Sequence, residues 1–215
     1  MAKARHVSVR FKARKELSRI LPGISHQGIV ALADEFVYSD LDRLNGIFKG
    51  RNGKGFGLLT VADHITDEGN LGSLIRTAAF FGAQGLIIPK DRAAGVTSRV
   101  LKRSSGAFTH IPVARVVNLG RALDDLRKNG FWIVGAAGES RESIYLFDFK
   151  RDLVIVLGNE QKGLSPAVRK RCHQLVGIPS MGHGESLNVG VAAGVILSEI
   201  VRQRNRDTEN TGSLS

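Results

Sequence analysis

Asp67-Glu68-Gly69-Asn70-Leu71-Gly72-Ser73-Leu74-Ile75-Arg76-Thr77-Ala78 is the stretch on which the fold turns. Leu71, Leu74, Ile75, Ala78 and Ala79 stand at i, i+3, i+4, i+7 and i+8, the apolar stripe of a helix lying on a sheet, and Gly82 is placed to end it. Upstream lies the apolar run Gly57–Ala62, and further runs follow at Gly85–Pro89, Ile111–Val117, Phe131–Gly135, Leu153–Leu157 and Leu175–Ile178. They are short and rich in Val, Ile and Leu, as strands buried on both faces are. Between them the spacing predicts helices at Val96–Ser104, Leu119–Lys128, Pro166–Cys172 and Ser186–Arg204, with Ser165-Pro166 reading as an N-cap followed by proline at the first helical position. Strands alternating with helices define an α/β fold with a mostly parallel sheet flanked by helices.

Two later turns answer the first. Leu157-Gly158-Asn159-Glu160-Gln161-Lys162-Gly163 and Ile178-Pro179-Ser180-Met181-Gly182-His183-Gly184-Glu185-Ser186-Leu187-Asn188-Val189 each follow an apolar run. In an α/β protein, ligand-binding loops begin where strands end.

The 215 residues suffice for one α/β domain and a modest appendage, and 42% hydrophobic residues is a globular composition. No apolar stretch approaches the roughly 20 residues that cross a bilayer, and the basic segment from Met1 to Arg19 lacks the apolar core of a secretory signal. Cys172 is the single cysteine, which excludes an intramolecular disulfide and a thiolate zinc cluster and fits a reducing cytoplasm. The histidines His6, His26, His64, His110, His173 and His183 show no i, i+4 pairing, so no metal is expected. A Gly-x-Gly-x-x-Gly after the first strand and a Walker A loop are both missing, and Gly184-Glu185-Ser186-Leu187-Asn188 departs from the nucleophile elbow at its last position.

Charge points to a partner. A net +11 and a pI near 10.3 favour a polyanion, because each Lys or Arg placed on a phosphate releases condensed counterion. Lys3, Arg5, Arg10, Lys12, Arg14, Lys15 and Arg19 face Glu16 alone in the first twenty residues, and basic groups recur at Lys90/Arg92, Arg99/Lys102/Arg103 and Arg169/Lys170/Arg171. Of these, Arg10, Lys12, Arg14, Lys15, Lys90, Arg92, Lys102 and Arg103 are the candidate nucleic-acid contacts. With 6% aromatic residues, stacking of bases on an exposed aromatic platform has little support. Glycines at 46, 50, 53 and 55 mark a boundary near Gly50. The organisation expected is a basic segment at 1–50, a main α/β domain at 51–206 and a polar tail at 207–215.

The three segments together resemble the SpoU/TrmH branch of the SPOUT RNA methyltransferases. Asn70 and Arg76 match its first motif, Gly158 and Glu160 its second, and Ile178, Pro179, Gly182, Ser186, Leu187, Asn188 and Val189 its third, in order and over roughly Phe56 to Arg204. Pro89-Lys90-Asp91-Arg92, Trp132-Ile133-Val134-Gly135 and His26-Gln27-Gly28-Ile29 look closest to the subgroup that methylates a guanosine ribose in large-subunit ribosomal RNA. The resemblance implies a C-terminal trefoil knot, a homodimer, and S-adenosyl-L-methionine held by Leu157, Gly158, Ile178, Pro179, Gly182, Ser186 and Leu187. It implies catalytic roles for Asn70, Arg76, Glu160, Ser186 and Asn188, and it makes the N-terminal segment the remnant of an RNA-binding domain. Glu68 stands where the family commonly has proline, Gln161 and Gly190 where it has glycine and serine, and Ser180 where methionine usually follows Ile-Pro.

Ordinary alternatives stand beside these roles. Asn70 suits a helix cap, Glu160 a cap of the following helix, Ser186 and Asn188 the cap of the last helix, and Arg76 a surface position. Two functional alternatives also stand: a transfer-RNA ribose methyltransferase of the same superfamily, and a non-catalytic RNA-binding or ribosome-assembly protein.

Overall fold

Six apolar runs that bury both faces can be satisfied only by neighbours on either side and helices above and below. In the computed structural model, which describes residues 8–22, 26–49, 55–183 and 186–211, they do so as one sheet. The strands are β1 Leu58–Asp63, β2 Gly85–Pro89, β3 Val113–Val116, β4 Trp132–Ala136, β5 Leu153–Gly158 and β6 Gln174–Val176. Their order is β3-β2-β1-β5-β4-β6, and every pairing among them is parallel. β1 lies at the centre and pairs with β5 from Leu58↔Leu153 to Asp63↔Gly158. From β1 the chain first builds outward through β2 to β3, then crosses to the far side to lay down β4, β5 and β6. That reversal between β1 and β5 opens a crevice at the carboxyl ends of the strands, where the three motif turns lie.

The helices in chain order are α1 Arg14–Ile20, α2 Leu41–Lys49, α3 Glu68–Phe80, α4 Ser98–Arg103, α5 Leu119–Lys128, α6 Pro166–Arg169 and α7 Val189–Thr211. α3 ends as its sequence requires: Gly82 has φ +74°, a conformation that costs a residue without Cβ little. α5 is capped by Asn118, whose side chain accepts from the Arg121 backbone NH. At α6 the expected Ser165-Pro166 start is present, but the Ser165 side chain makes no cap bond to its own helix. It is engaged by Asp63, as described below. α7 continues in backbone to Thr211, so residues 207–211 extend a helix where a polar tail was expected; residues 212–215 lie outside the described residues.

The division of the chain also differs from expectation. The compact units are Met1–Phe36 and Val37–Ser215, rather than parting near Gly50, which is outside the described residues. Ser39 joins the sheet edge, its NH donating to the Val113 carbonyl at 2.8 Å, and Leu44 of α2 is fully buried. A Cβ on Gly85 would stand 2.6 Å from Leu44 Cδ2, so the glycine makes the space that this leucine fills. The first unit carries α1, with Glu16 accepting from the Ala13 NH and pairing with Lys12 at 3.0 Å.

Cys172 sits under β4 with its thiol 3.5 Å from the Val168 carbonyl. Burial, reinforced by nearby Asp63, pushes the thiol up to about 11. Its thiolate at pH 8 is therefore about a hundredfold scarcer than that of an ordinary cysteine. Iodoacetamide should alkylate the native protein about that much more slowly than the urea-unfolded chain, with equal rates contradicting the buried placement. Among the described residues no helix is long and apolar enough to cross a membrane.

Candidate active site

α3 begins at the carboxyl end of β1, and its cap is Asp67, whose Oδ1 accepts from the Asn70 NH at 2.7 Å. Asn70 is thus inside the first turn and not the cap, which frees its side chain. Leu71, Gly72, Leu74, Ile75 and Ala78 are buried against the sheet, while Asn70, Ser73, Arg76 and Thr77 line an open cleft of about 1170 Å³. Gly72 brings a second helix close. A Cβ there would sit 2.6 Å from the Cβ of Arg103, so α4 crosses α3 at this point and sets Arg99, Lys102 and Arg103 around Arg76. Arg76 is exposed, and its Nη1 donates to Ser105 Oγ over a long 3.5 Å.

β5 ends in Gly158 and folds back on itself. Asn159 and Gly163 exchange backbone hydrogen bonds of 3.0 and 2.8 Å, and Asn159 Oδ1 accepts from the NH groups of Gln161 and Lys162. A Cβ on Gly158 would lie 2.3 Å from the Gly163 carbonyl carbon, contact with backbone that has no room to yield. Gly158→Ala is therefore expected to cost about 1–3 kcal/mol of stability, measurable in urea melts, by forcing this turn open. The turn is clasped to β1 from two sides. Asn159 Nδ2 donates to the His64 carbonyl at 3.0 Å, and the fully buried Asp63 accepts from the Ser165 NH at 2.6 Å and from the Ser165 hydroxyl at 3.1 Å. A second cavity, of about 600 Å³, opens between this turn and the loops after β4 and β6.

A chain of amides joins the two spaces. Asn70 Nδ2 donates to Glu160 Oε1 at 2.5 Å, Asn188 Nδ2 donates to Asn70 Oδ1 at 2.8 Å, and Asn188 Oδ1 accepts from the Gly190 NH at 2.9 Å. Glu160 lines the smaller cavity; Asn70 and Asn188 line the open cleft. An ionised carboxylate only accepts, so Glu160 fixes which end of the Asn70 amide faces it, and Asn70 in turn fixes Asn188. Asn188 also begins α7 as a cap, since the Ala192 NH donates to its carbonyl at 2.8 Å.

Leu157, Gly158, Ile178, Pro179, Ser186 and Leu187 all line the smaller cavity; Gly182, expected with them, does not, and its carbonyl instead accepts from Ser180 Oγ at 3.3 Å. Gly184 and Glu185 lie outside the described residues. Glu160, given a catalytic role by the resemblance and otherwise read as a helix cap, accepts from Asn70 Nδ2. Lys102 and Arg103 line the open cleft, whereas the exposed Lys90 and Arg92 do not. Arg10, Lys12, Arg14 and Lys15 are exposed in the first unit, and Lys3 and Arg5 are outside the described residues. Sequence reasoning missed Asp63 and Ser105 and read Ser165 only as a helix cap. Asp63 is the most legible of them in retrospect, a carboxylate closing an otherwise apolar strand. Glu139, also in the smaller cavity, pairs with Arg169, whose hydrogen bond holds its carboxyl below the usual carboxylate range. Among the described residues no group of three or more His, Cys, Asp or Glu could hold a metal ion.

The chain is similar to known proteins. The 23S rRNA (guanosine-2'-O-)-methyltransferase RlmB of Coxiella burnetii is 44% identical over 203 residues, covering 94% of this chain and 80% of that protein. The SpoU methyltransferase AviRb from Streptomyces viridochromogenes, in complex with the cofactor AdoMet, is 34% identical and superposes with a TM-score of 0.71 over 80% of this chain and 67% of its own. An AdoMet-bound rRNA methyltransferase from Sinorhizobium meliloti gives 0.76 at 27% identity, over 94% and 74%. With residues 57–198 matching it, the chain belongs to the SpoU rRNA Methylase family.

Proposed function

We propose that this protein methylates a ribose 2′-hydroxyl in RNA, a guanosine of 23S rRNA, using S-adenosyl-L-methionine, and that it works in the cytoplasm as a homodimer whose C-terminal loops form a trefoil knot. The observation that carries the reading is the amide chain from Glu160 through Asn70 to Asn188, the shared wall of a small apolar-lined cavity and a basic cleft.

The smaller cavity fits the cofactor. Its volume of about 600 Å³ is in the ordinary range for a small-molecule site. Leu157, Ile178, Pro179 and Leu187 supply apolar walls for an adenine, and the open space beside Gly138, where a Cβ would meet nothing within 4 Å, lets a flat ligand approach the backbone. Glu139 and Glu160 line the cavity together with Lys162 and Arg169, Glu139 being paired with Arg169, so its walls carry both signs of charge, as a ligand bearing a carboxylate and cationic centres requires. When bound, S-adenosyl-L-methionine supplies an electrophilic methyl group.

The chain's own residues must hold the ribose and manage one proton. The guanidinium of Arg76 stays protonated in proteins, so it cannot serve as the base. Its role is to fix a substrate phosphate in its bidentate fork and to stabilise negative charge growing on the 2′-oxygen, while phosphate or water accepts the proton. Lys102 and Arg103 hold neighbouring phosphates. Asn70 and Asn188, locked in orientation, present fixed dipoles to the open cleft, and Ser186 lines the smaller cavity.

Calorimetry with S-adenosyl-L-methionine, together with mass spectrometry of ribose methyls in ribosomal and transfer RNA from cells lacking the gene, tests the reading. Cofactor binding and one missing ribose methyl in 23S rRNA are expected. No cofactor binding at millimolar concentration would turn the protein into an RNA-binding factor, and a methyl missing from transfer RNA would change the substrate. Binding of RNA should weaken steeply between low and physiological salt.

A further inference from the structure

One ion pair in the basic cleft is left unused by the reaction just described. Glu68, the first residue of α3, has one carboxylate oxygen accepting from the Thr97 hydroxyl at 2.7 Å and the other 3.7 Å from Arg99 Nη1. Thr97 is itself committed, as the cap of α4 accepting from the Val100 NH at 3.4 Å. The two members of the pair are therefore unlike. The Glu68 side chain is 32% exposed and anchored on a second helix, whereas that of Arg99 is 80% exposed and reaches across the cleft mouth. Asp67, the neighbouring carboxylate, is occupied by the Asn70 NH.

We propose that Glu68 is a specificity-determining residue that withholds Arg99 from RNA phosphates until the RNA is seated on the rest of the cleft. The proposal rests on reading the cleft as the RNA site. A phosphate that meets Arg99 alone must displace a fixed carboxylate and then remain beside it, two anions on one guanidinium. RNA that also engages Arg76, Lys102 and Arg103 has the surplus attraction to make that exchange, and RNA touching only the rim does not. An exposed pair of this kind is worth about 0.2–1 kcal/mol, or about 1.4- to 5-fold in affinity. That is small enough to be released on full engagement and large enough to lower casual binding. Discrimination of this kind comes from a repulsive element set against the wrong partner.

Glu68→Gln removes the charge while its amide oxygen still accepts from Thr97. Binding is read by fluorescence anisotropy of the full chain with oligouridylate and with a 23S rRNA transcript, across a salt series. The expected results are about two- to fivefold tighter oligouridylate binding in Glu68→Gln and a log–log salt slope steeper by about 0.7, the contribution of one more neutralised phosphate on a single strand. Both changes should vanish in the Arg99→Ala background. Thr97→Val, which loosens the carboxylate but keeps its charge, should leave the slope at the wild-type value. An unchanged slope in Glu68→Gln, the same tightening in Arg99→Ala, or equal tightening by Thr97→Val overturns the proposal and leaves the cleft reading intact. Wild-type protein that binds neither RNA in a salt-dependent way overturns both.

Discussion

Arg76→Lys is expected to reduce single-turnover methyl transfer by about 10²–10³-fold, the range seen when one donor to a developing oxyanion is lost. Lysine keeps the charge and loses the fork. A compact ammonium on a flexible stem cannot hold two phosphate oxygens in one plane, nor offer one N–H to a phosphate and another to the 2′-oxygen. Arg76 is exposed, with the Ser105 hydroxyl as a long contact, so its substitution leaves the buried stripe of α3 untouched and a melting curve should not move. Tritiated methyl transfer to RNA at saturating cofactor measures the effect. Near-normal turnover would show that only a positive charge is needed and would remove the fork from the mechanism.

The second large effect is expected at Asn70→Asp, the same shape with an oxygen in place of Nδ2. That oxygen would stand at the 2.5 Å position now taken by a donor to Glu160. Two carboxylates at that distance cannot both be ionised, so one must take up a proton or the wall between the cavities must open. Asn188 still finds an acceptor, which confines the damage to one link. Turnover is expected to fall about 100-fold at pH 8 and to recover as the pH is lowered, because protonation of the pair restores a donor between the two residues. The sign is the informative part: wild type should show no such gain toward acid, and a variant equally inactive at every pH would mean that geometry, not the direction of the hydrogen bonds, was lost.

These expectations concern side chains that the sequence names well and joins badly. β2 and α5 were legible to the residue: Gly85–Pro89 is an apolar run between turns, and Leu119–Lys128 is an amphipathic helix capped by Asn118. Period and punctuation are local, so a local reading finds them. Strand order is not local. Nothing within Leu58–Asp63 says that its second neighbour is β5, and nothing near Asn70 says that Glu160 and Asn188 will meet it. Resemblance to a family names the candidate residues, but the direction of each bond is set by the fold. Asn70 shows the difference, since Asp67 is the better cap three residues earlier and leaves the asparagine amide for another use. The annexation of Val37–Lys49 to the larger unit was hidden for a similar reason: Leu44 earns its burial from a gap at Gly85, forty residues on.

The central strand has a consequence for synthesis. β1 is buried on both faces and takes its second partner only when residues 153–158 emerge, about ninety-five residues later. At bacterial or eukaryotic rates of about 5–20 residues per second, that interval lasts about 5–20 s. During it the nascent chain presents an open strand edge, mostly apolar in its side chains, on which stalled or truncated chains would aggregate.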